Sequence, residues 1–169
     1  MGTTTVNGLP AHPLWVHAVV ILVPLSALLL LACAAWPVVM RRAGVVLPLL
    51  ALVALVSVPL ATNAGEWLQE RVPETAAVEH HTEMGGDLLP WSVGVFVVSV
   101  VLWALHRGVL RRLAQSADGR EGAWVDRVSL TTAAGRVVAV VLALVVGAGA
   151  VVEVYRIGDS GAKSVWQHR

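Results

Sequence analysis

Four long stretches without formal charge restrict what this chain can fold into. They run from Pro13 to Met40, from Ala43 to about Ala64, from Leu88 to Leu105 and from about Thr131 to Val152, and only the last holds a charge, Arg136. A hydrocarbon core of about 30 Å needs roughly 20 apolar residues of helix. We therefore predict an all-α integral membrane four-helix bundle, with transmembrane helices at about 13–40, 43–64, 88–107 and 131–155.

Composition supports the same class of protein. Of the 169 residues, 57% are hydrophobic and 14% are charged, which is unusual for a soluble domain. The runs are continuous rather than alternating, as in helices and not in barrel strands. Gly94, Gly147 and Gly149 lie in the third and fourth runs and predict close helix packing. Residues 74–84, stopped by Gly85 and Gly86, predict a short helix outside the bilayer.

Basic residues predict the orientation in the cell membrane. Cytoplasmic loops retain an excess of Lys and Arg. The face that holds the first and third links carries eight arginines against three acidic residues. We therefore expect this face to be cytoplasmic, and both termini and residues 63–87 to be extracytoplasmic.

With this threading of the four helices through the membrane, four of the six histidines lie at the extracytoplasmic face: His12, His17, His80 and His81. Pro13 suits a first helical position, so His12 is expected at the helix cap. Five residues separate His12 from His17, which corresponds to roughly 140° around an ideal helix. The two rings should therefore not share a helix face, and we expect ligands to come from different helices.

One hypothesis is a haem b held by two imidazoles, His17 and His81. Imidazole is a common haem ligand, and a helix bundle can hold a cofactor between facing helices. Arg156 or Arg71 could pair with the haem propionates. A cofactor in this position would make the protein redox-associated, with a possible redox protein partner on the extracytoplasmic side.

A second hypothesis is a transition-metal site with mixed imidazole and carboxylate ligands. Its candidate ligands are His12, His17, His80, His81, Glu66, Glu83 and Glu153.

The alternative is a structural or accessory membrane subunit without a cofactor. Histidines and acids at helix ends can hold a bundle together, for example Glu66 with His17 and Glu153 with His81. The chain has no phosphate-binding loop, dinucleotide fingerprint or nucleophile elbow, so it does not look like a self-contained enzyme. Its arginines are expected to contact lipid and not nucleic acid.

Several segments resemble a known family. The opening Gly8-Leu9-Pro10-Ala11-His12-Pro13-Leu14-Trp15-Val16-His17 is similar to the first motif of the domain of unknown function 2231 family, small prokaryotic membrane proteins. Gly65-Glu66, His81 with Gly85, and the segments at 154–158 and 158–166 extend the resemblance over nearly the whole chain. It implies a four-helix membrane protein without an established activity. Some relatives are joined to Rieske-type iron-sulfur domains, which suggests electron transfer.

Overall fold

The computed structural model describes residues 4–73, 75–108 and 133–166, with side chains as far as residue 163. A small antiparallel hairpin, β1 (Thr5–Val6) and β2 (Leu9–Pro10), precedes six helices in the described ranges. These are α1 (His12–Ala35), α2 (Pro37–Ala43), α3 (Val46–Gln69), α4 (Ala76–Met84), α5 (Leu88–His106) and α6 (Ala133–Trp166). Most of the predicted basic loop between the third and fourth spans, at 106–130, lies outside the described residues.

The chain is a multi-pass membrane protein. Four of its helical stretches are long and apolar enough to cross a membrane: α1, α3, the stretch that ends with α5, and α6. The predicted all-α membrane bundle with a short helix between the second and third spans is confirmed. We treat α1, α3, α5 and the apolar part of α6 as the spans, while α4 is polar along much of its length and precedes the third span.

The first apolar run forms two helices where the sequence predicts one. Trp36, at the junction of α1 and α2, has an extended backbone with φ −121° and ψ 107°. Pro37 explains this break, because the ring of a proline disfavours helical geometry in the residue before it. The last turn of α2 carries Arg41 and Arg42, where basic side chains interact favourably with the helix dipole.

The four spans form a ring in which α1 and α5 each pack against both α3 and α6. The small residues predicted to allow close packing lie at these contacts. A Cβ at Gly147 would lie 3.3 Å from Cβ of Ala27 on α1, and a Cβ at Gly94 would lie 3.2 Å from Val146. Gly149 packs directly beneath the ring of Trp91. The glycines therefore determine how closely α6 approaches α1 and α5.

Helix α6 continues well beyond the predicted boundary at residue 155. Its 34 residues correspond to roughly 51 Å of helix, more than the hydrocarbon core of about 30 Å requires. The last turns of α6 therefore extend past the core, where they pack against α4. Helix α4 is capped by Thr75, whose hydroxyl accepts a hydrogen bond from the backbone N–H of Val78 at 3.3 Å. This arrangement brings α4 and the end of α6 over one end of the bundle, called the α4 end below.

Candidate functional site

A cavity of about 650 Å³ opens at the α4 end of the bundle. It lies between the first turns of α1, the last turns of α3, helix α4 and the second half of α6. Its volume is within the range of about 300–1,000 Å³ that is typical of small-molecule sites. Most of its surface is apolar, and its polar side chains within the described residues are His12, His17, Thr62, Gln69, Thr75, His81 and Thr82. No Asp, Glu, Lys or Arg of the described ranges lines it.

His12 begins α1 and is held by α3. Its Nδ1 lies 2.9 Å from the carbonyl oxygen of Ala61. Gly65, one turn further along α3, lies against the imidazole, because a Cβ at this position would be 3.0 Å from both Cε1 and Nδ1 of His12. Pro13 in the first turn lacks an N–H that the helix start would leave unpaired. The His12 side chain is therefore directed to α3 and not to the segment that precedes α1.

His81 on α4 is held by the end of α6 in a similar way. Its Nδ1 lies 2.8 Å from Oγ of Ser160, and this hydroxyl donates to the carbonyl oxygen of Ile157, also at 2.8 Å. Gly161 provides the space for the ring, since a Cβ there would lie 3.0 Å from Cε1 of His81. Partial burial lowers the pKa of His81, and the nearby His12 lowers it further. The neutral imidazole is therefore the favoured form at neutral pH.

His17 lines the same cavity but is attached to its own helix. Its Nδ1 lies 2.6 Å from the carbonyl oxygen of Pro13, one turn earlier. The side chain is exposed. The position of this ring is therefore set by α1 alone, whereas those of His12 and His81 are set by two further helices.

The hydrogen bonds indicate one tautomer for all three histidines. A carbonyl oxygen can only accept, so Nδ1 of His12 and of His17 must carry the proton. With the hydroxyl proton of Ser160 donated to Ile157, Nδ1 of His81 donates to the hydroxyl oxygen. In each neutral ring the lone pair is then on Nε2. This is the usual arrangement of a metal-ligating histidine, whose other ring N–H is bound by a carbonyl or a similar acceptor.

The close pair of rings is His12 and His81, not the predicted pair His17 and His81. The ring centroids of His12 and His81 are 6.2 Å apart, and the ring planes are inclined at 77°. The sequence predicts His12 as a cap residue and as one of seven candidate metal ligands, but not as the partner of His81 in a haem site. The sequence contains one signal for the pairing of His12 with His81, which is the proline after His12. This proline places His12 at the start of α1, where its side chain can turn toward α3.

The other predicted site residues do not line the cavity. His80, Glu66 and Glu83 are exposed. The Glu153 side chain is 11% exposed on α6, and its Oε1 accepts a hydrogen bond from Nη1 of Arg156 at 2.7 Å. The suggested pair of Glu153 with His81 is not formed, because Ser160 bonds to His81 and Arg156 bonds to Glu153. In the described ranges, no three His, Cys, Asp or Glu side chains are placed to hold a metal ion.

Comparison with known proteins gives a family but no activity. No curated protein and no solved structure matches the chain significantly. The profile of a family described as "Predicted membrane protein (DUF2231)" matches residues 8–169, from the turn of the N-terminal hairpin to the last residue. This match covers nearly the whole chain and confirms the resemblance drawn from its motifs, so the protein belongs to the DUF2231 family of predicted membrane proteins.

Proposed function

We propose that this protein is a redox-associated membrane protein that binds a haem b in the cavity at the α4 end. The observation that carries the proposal is the set of three imidazoles around one apolar cavity, each with its Nδ1 proton bound and its lone pair on Nε2. His81 is one proposed ligand, and the second is one of the other two cavity histidines.

The geometry favours a haem over a protein-bound metal ion. A structural or catalytic metal ion normally needs three or four protein ligands, and the described residues offer no such group. A haem supplies four equatorial nitrogens itself and needs only one or two axial imidazoles from the protein. Its apolar ring also suits a cavity whose lining, as far as it is described, has no formally charged side chain.

The propionates of the haem require polar partners outside this apolar lining. Arg156 follows Glu153 by three residues on α6 and precedes Ile157, which lines the cavity. More than half of the Arg156 side chain is exposed. We propose that the guanidinium of Arg156 can pair with a propionate while it remains bound to Glu153, since an arginine has five N–H donors.

Bound haem would supply one-electron transfer, and the protein would supply position and environment. The proposed location is the extracytoplasmic side of the cell membrane, where a redox protein could approach α4. Glu79, His80 and Glu83 form an exposed polar surface on this helix. No side chain is assigned a catalytic role.

The test is an absorption spectrum of the detergent-purified full-length protein, oxidised and then reduced with dithionite. Haem precursor and iron should be supplied during expression, and elemental analysis should be done on the same sample. A stoichiometric Soret band that shifts on reduction, and is diminished in His81→Ala but retained in His80→Ala, is expected. His80 is a matched control because it is adjacent on α4 but does not line the cavity.

Two other results would contradict the haem proposal, and each would support a different alternative. A stoichiometric metal without a Soret band would indicate the predicted metal site. Neither haem nor metal, in protein that elutes as a single folded species, would indicate the structural or accessory subunit.

A further inference from the structure

We propose that His12 and His81 are the two axial ligands of the bound iron, an inference that rests on the proposed haem function. The two rings are 6.2 Å apart between centroids, and they are held by hydrogen bonds to α3 and to α6. This assignment differs from the pair His17 and His81 that the sequence suggests.

The separation of the rings is suitable for one shared iron. With metal–nitrogen bonds of about 2.0–2.1 Å, two imidazoles on one metal have centroids roughly 5–6.5 Å apart, depending on the angle at the metal. The observed 6.2 Å lies within this range. The inclination of 77° is also compatible, because axial imidazole planes can rotate about the metal–nitrogen bond.

Each ring of this pair is fixed by a helix other than its own. His12 belongs to α1 but is bound by Ala61 and bordered by Gly65 on α3. His81 belongs to α4 but is bound by Ser160 and bordered by Gly161 on α6. Four helices thus set the distance between two imidazoles, which is the kind of support that a preorganised ligand site needs.

His17 lacks this support. Its ring bonds to Pro13 within the same helix, and its side chain is exposed. The position of His17 is also about 140° around the axis of α1 from that of His12. If His12 is directed toward α3 and His81, His17 is therefore directed elsewhere along the cavity wall.

The same geometry also fits two histidines that simply touch, because aromatic pairs are commonly 4.5–7 Å apart. An experiment must therefore measure coordination and not only stability. The wild-type holoprotein should show the six-coordinate, low-spin spectrum of a bis-histidine haem by absorption and electron paramagnetic resonance. This measurement needs no variant and so does not depend on the folding of one.

The variants identify which histidines are ligands. We expect His12→Ala and His81→Ala each to lower haem affinity at least about tenfold and to leave five-coordinate, high-spin haem in the fraction that binds. Added imidazole should restore the six-coordinate spectrum of His12→Ala, which a merely structural role would not explain. His12→Gln serves as a second variant, since its amide can still donate to Ala61 while it offers no imidazole lone pair. The matched control His80→Ala, at a residue that does not line the cavity, should keep the wild-type spectrum. His17→Ala tests the other candidate ligand and should leave the haem six-coordinate.

The outcomes separate this inference from the function on which it rests. Haem that becomes five-coordinate in His17→Ala, but not in either His12 variant, would overturn the inference and leave the haem function in place. A high-spin, five-coordinate wild-type spectrum would do the same. Wild-type protein without any haem would overturn both.

Discussion

Replacement of Gly65 by alanine should displace the His12 ring with little change in the stability of the bundle. The new Cβ would lie 3.0 Å from Cε1 and Nδ1 of His12, whereas ordinary van der Waals contacts begin at 3.4 Å. The ring must therefore retreat from α3 by about 0.4 Å, and the bond from Nδ1 to Ala61, now 2.9 Å, would lengthen to about 3.3 Å. This is longer than the usual upper limit of about 3.2 Å for an N–H···O bond.

Two effects of this substitution on the free energy of unfolding oppose each other. A lost or weakened hydrogen bond costs about 0.5–1.5 kcal/mol. Alanine in place of glycine inside a helix stabilises by about 0.5–1 kcal/mol. The net change should therefore remain within about 1 kcal/mol. A ligand site is less tolerant, because its groups must stay within roughly 0.5 Å of their productive positions.

The assay combines thermal unfolding in detergent with two-dimensional NMR of the histidine rings, and a haem titration where haem binds. We expect an almost unchanged unfolding midpoint, a shifted resonance of His12 and weaker haem binding. Gly158→Ala is the control for the unfolding midpoint and the His12 resonance, since a Cβ at this helical position meets no atom within 4 Å. Because Gly158 lines the cavity, this variant is not used in the haem titration. An unchanged His12 resonance in Gly65→Ala, or a loss of several kcal/mol in stability, would refute the reasoning.

Three further predictions concern packing, pH and topology. Gly149→Ala should destabilise the bundle by about 1–3 kcal/mol because its Cβ would overlap a tryptophan ring of α5, and a wild-type unfolding midpoint would show that α6 shifts freely. The pKa of His81 is lowered in the folded protein, so stability should be retained above the ordinary histidine pKa of about 6.5 and should decrease as the pH falls below that value. His81→Gln should make this decrease, measured by thermal unfolding, smaller. An equal decrease in the variant would assign the pH dependence to other groups. In a Cys33→Ala background, Asn7→Cys should react with an impermeant thiol reagent in intact cells and Arg42→Cys should not, whereas the reverse pattern would invert the predicted orientation.

The sequence predicts the four spans because a span depends only on the residues within its own segment. Each span needs only enough apolar residues to cross the bilayer, and each of these runs can be found without knowledge of its neighbours. The packing role of Gly94, Gly147 and Gly149 is equally visible, because small residues in apolar helices have few other uses. All three lie at helix contacts in the structure.

Residue depth is easier to predict than rotation about a helix axis. The threading predicts His12, His17, His80 and His81 at one end of the bundle, and all of them except His80 line one cavity. It did not identify His12 as the neighbour of His81, because this depends on how α1 is turned toward α3. It also placed Glu66 and Glu153 at a similar depth, although neither lines the cavity in the structure.

The support for His81 could not be predicted because it lies beyond the apolar part of α6. Hydropathy ends a span where polar residues begin, and the residues after Arg156 have no apolar run that would extend the helix. The structure continues α6 to Trp166, and Ser160 and Gly161 lie in this continuation. Packing against α4 supplies the stabilisation that the sequence alone does not reveal.

Several of the residues that carry the resemblance to the family surround the cavity. His12, Pro13, His17, Gly65, His81 and Gly85 all line the cavity. An imidazole on an apolar surface needs a hydrogen-bond partner for its polar atoms, and Nδ1 of each of the three histidines has one. The proposed haem site would also use the lone pairs of Nε2, and it would then require both the histidines and the glycines that leave space for two of their rings, Gly65 and Gly161.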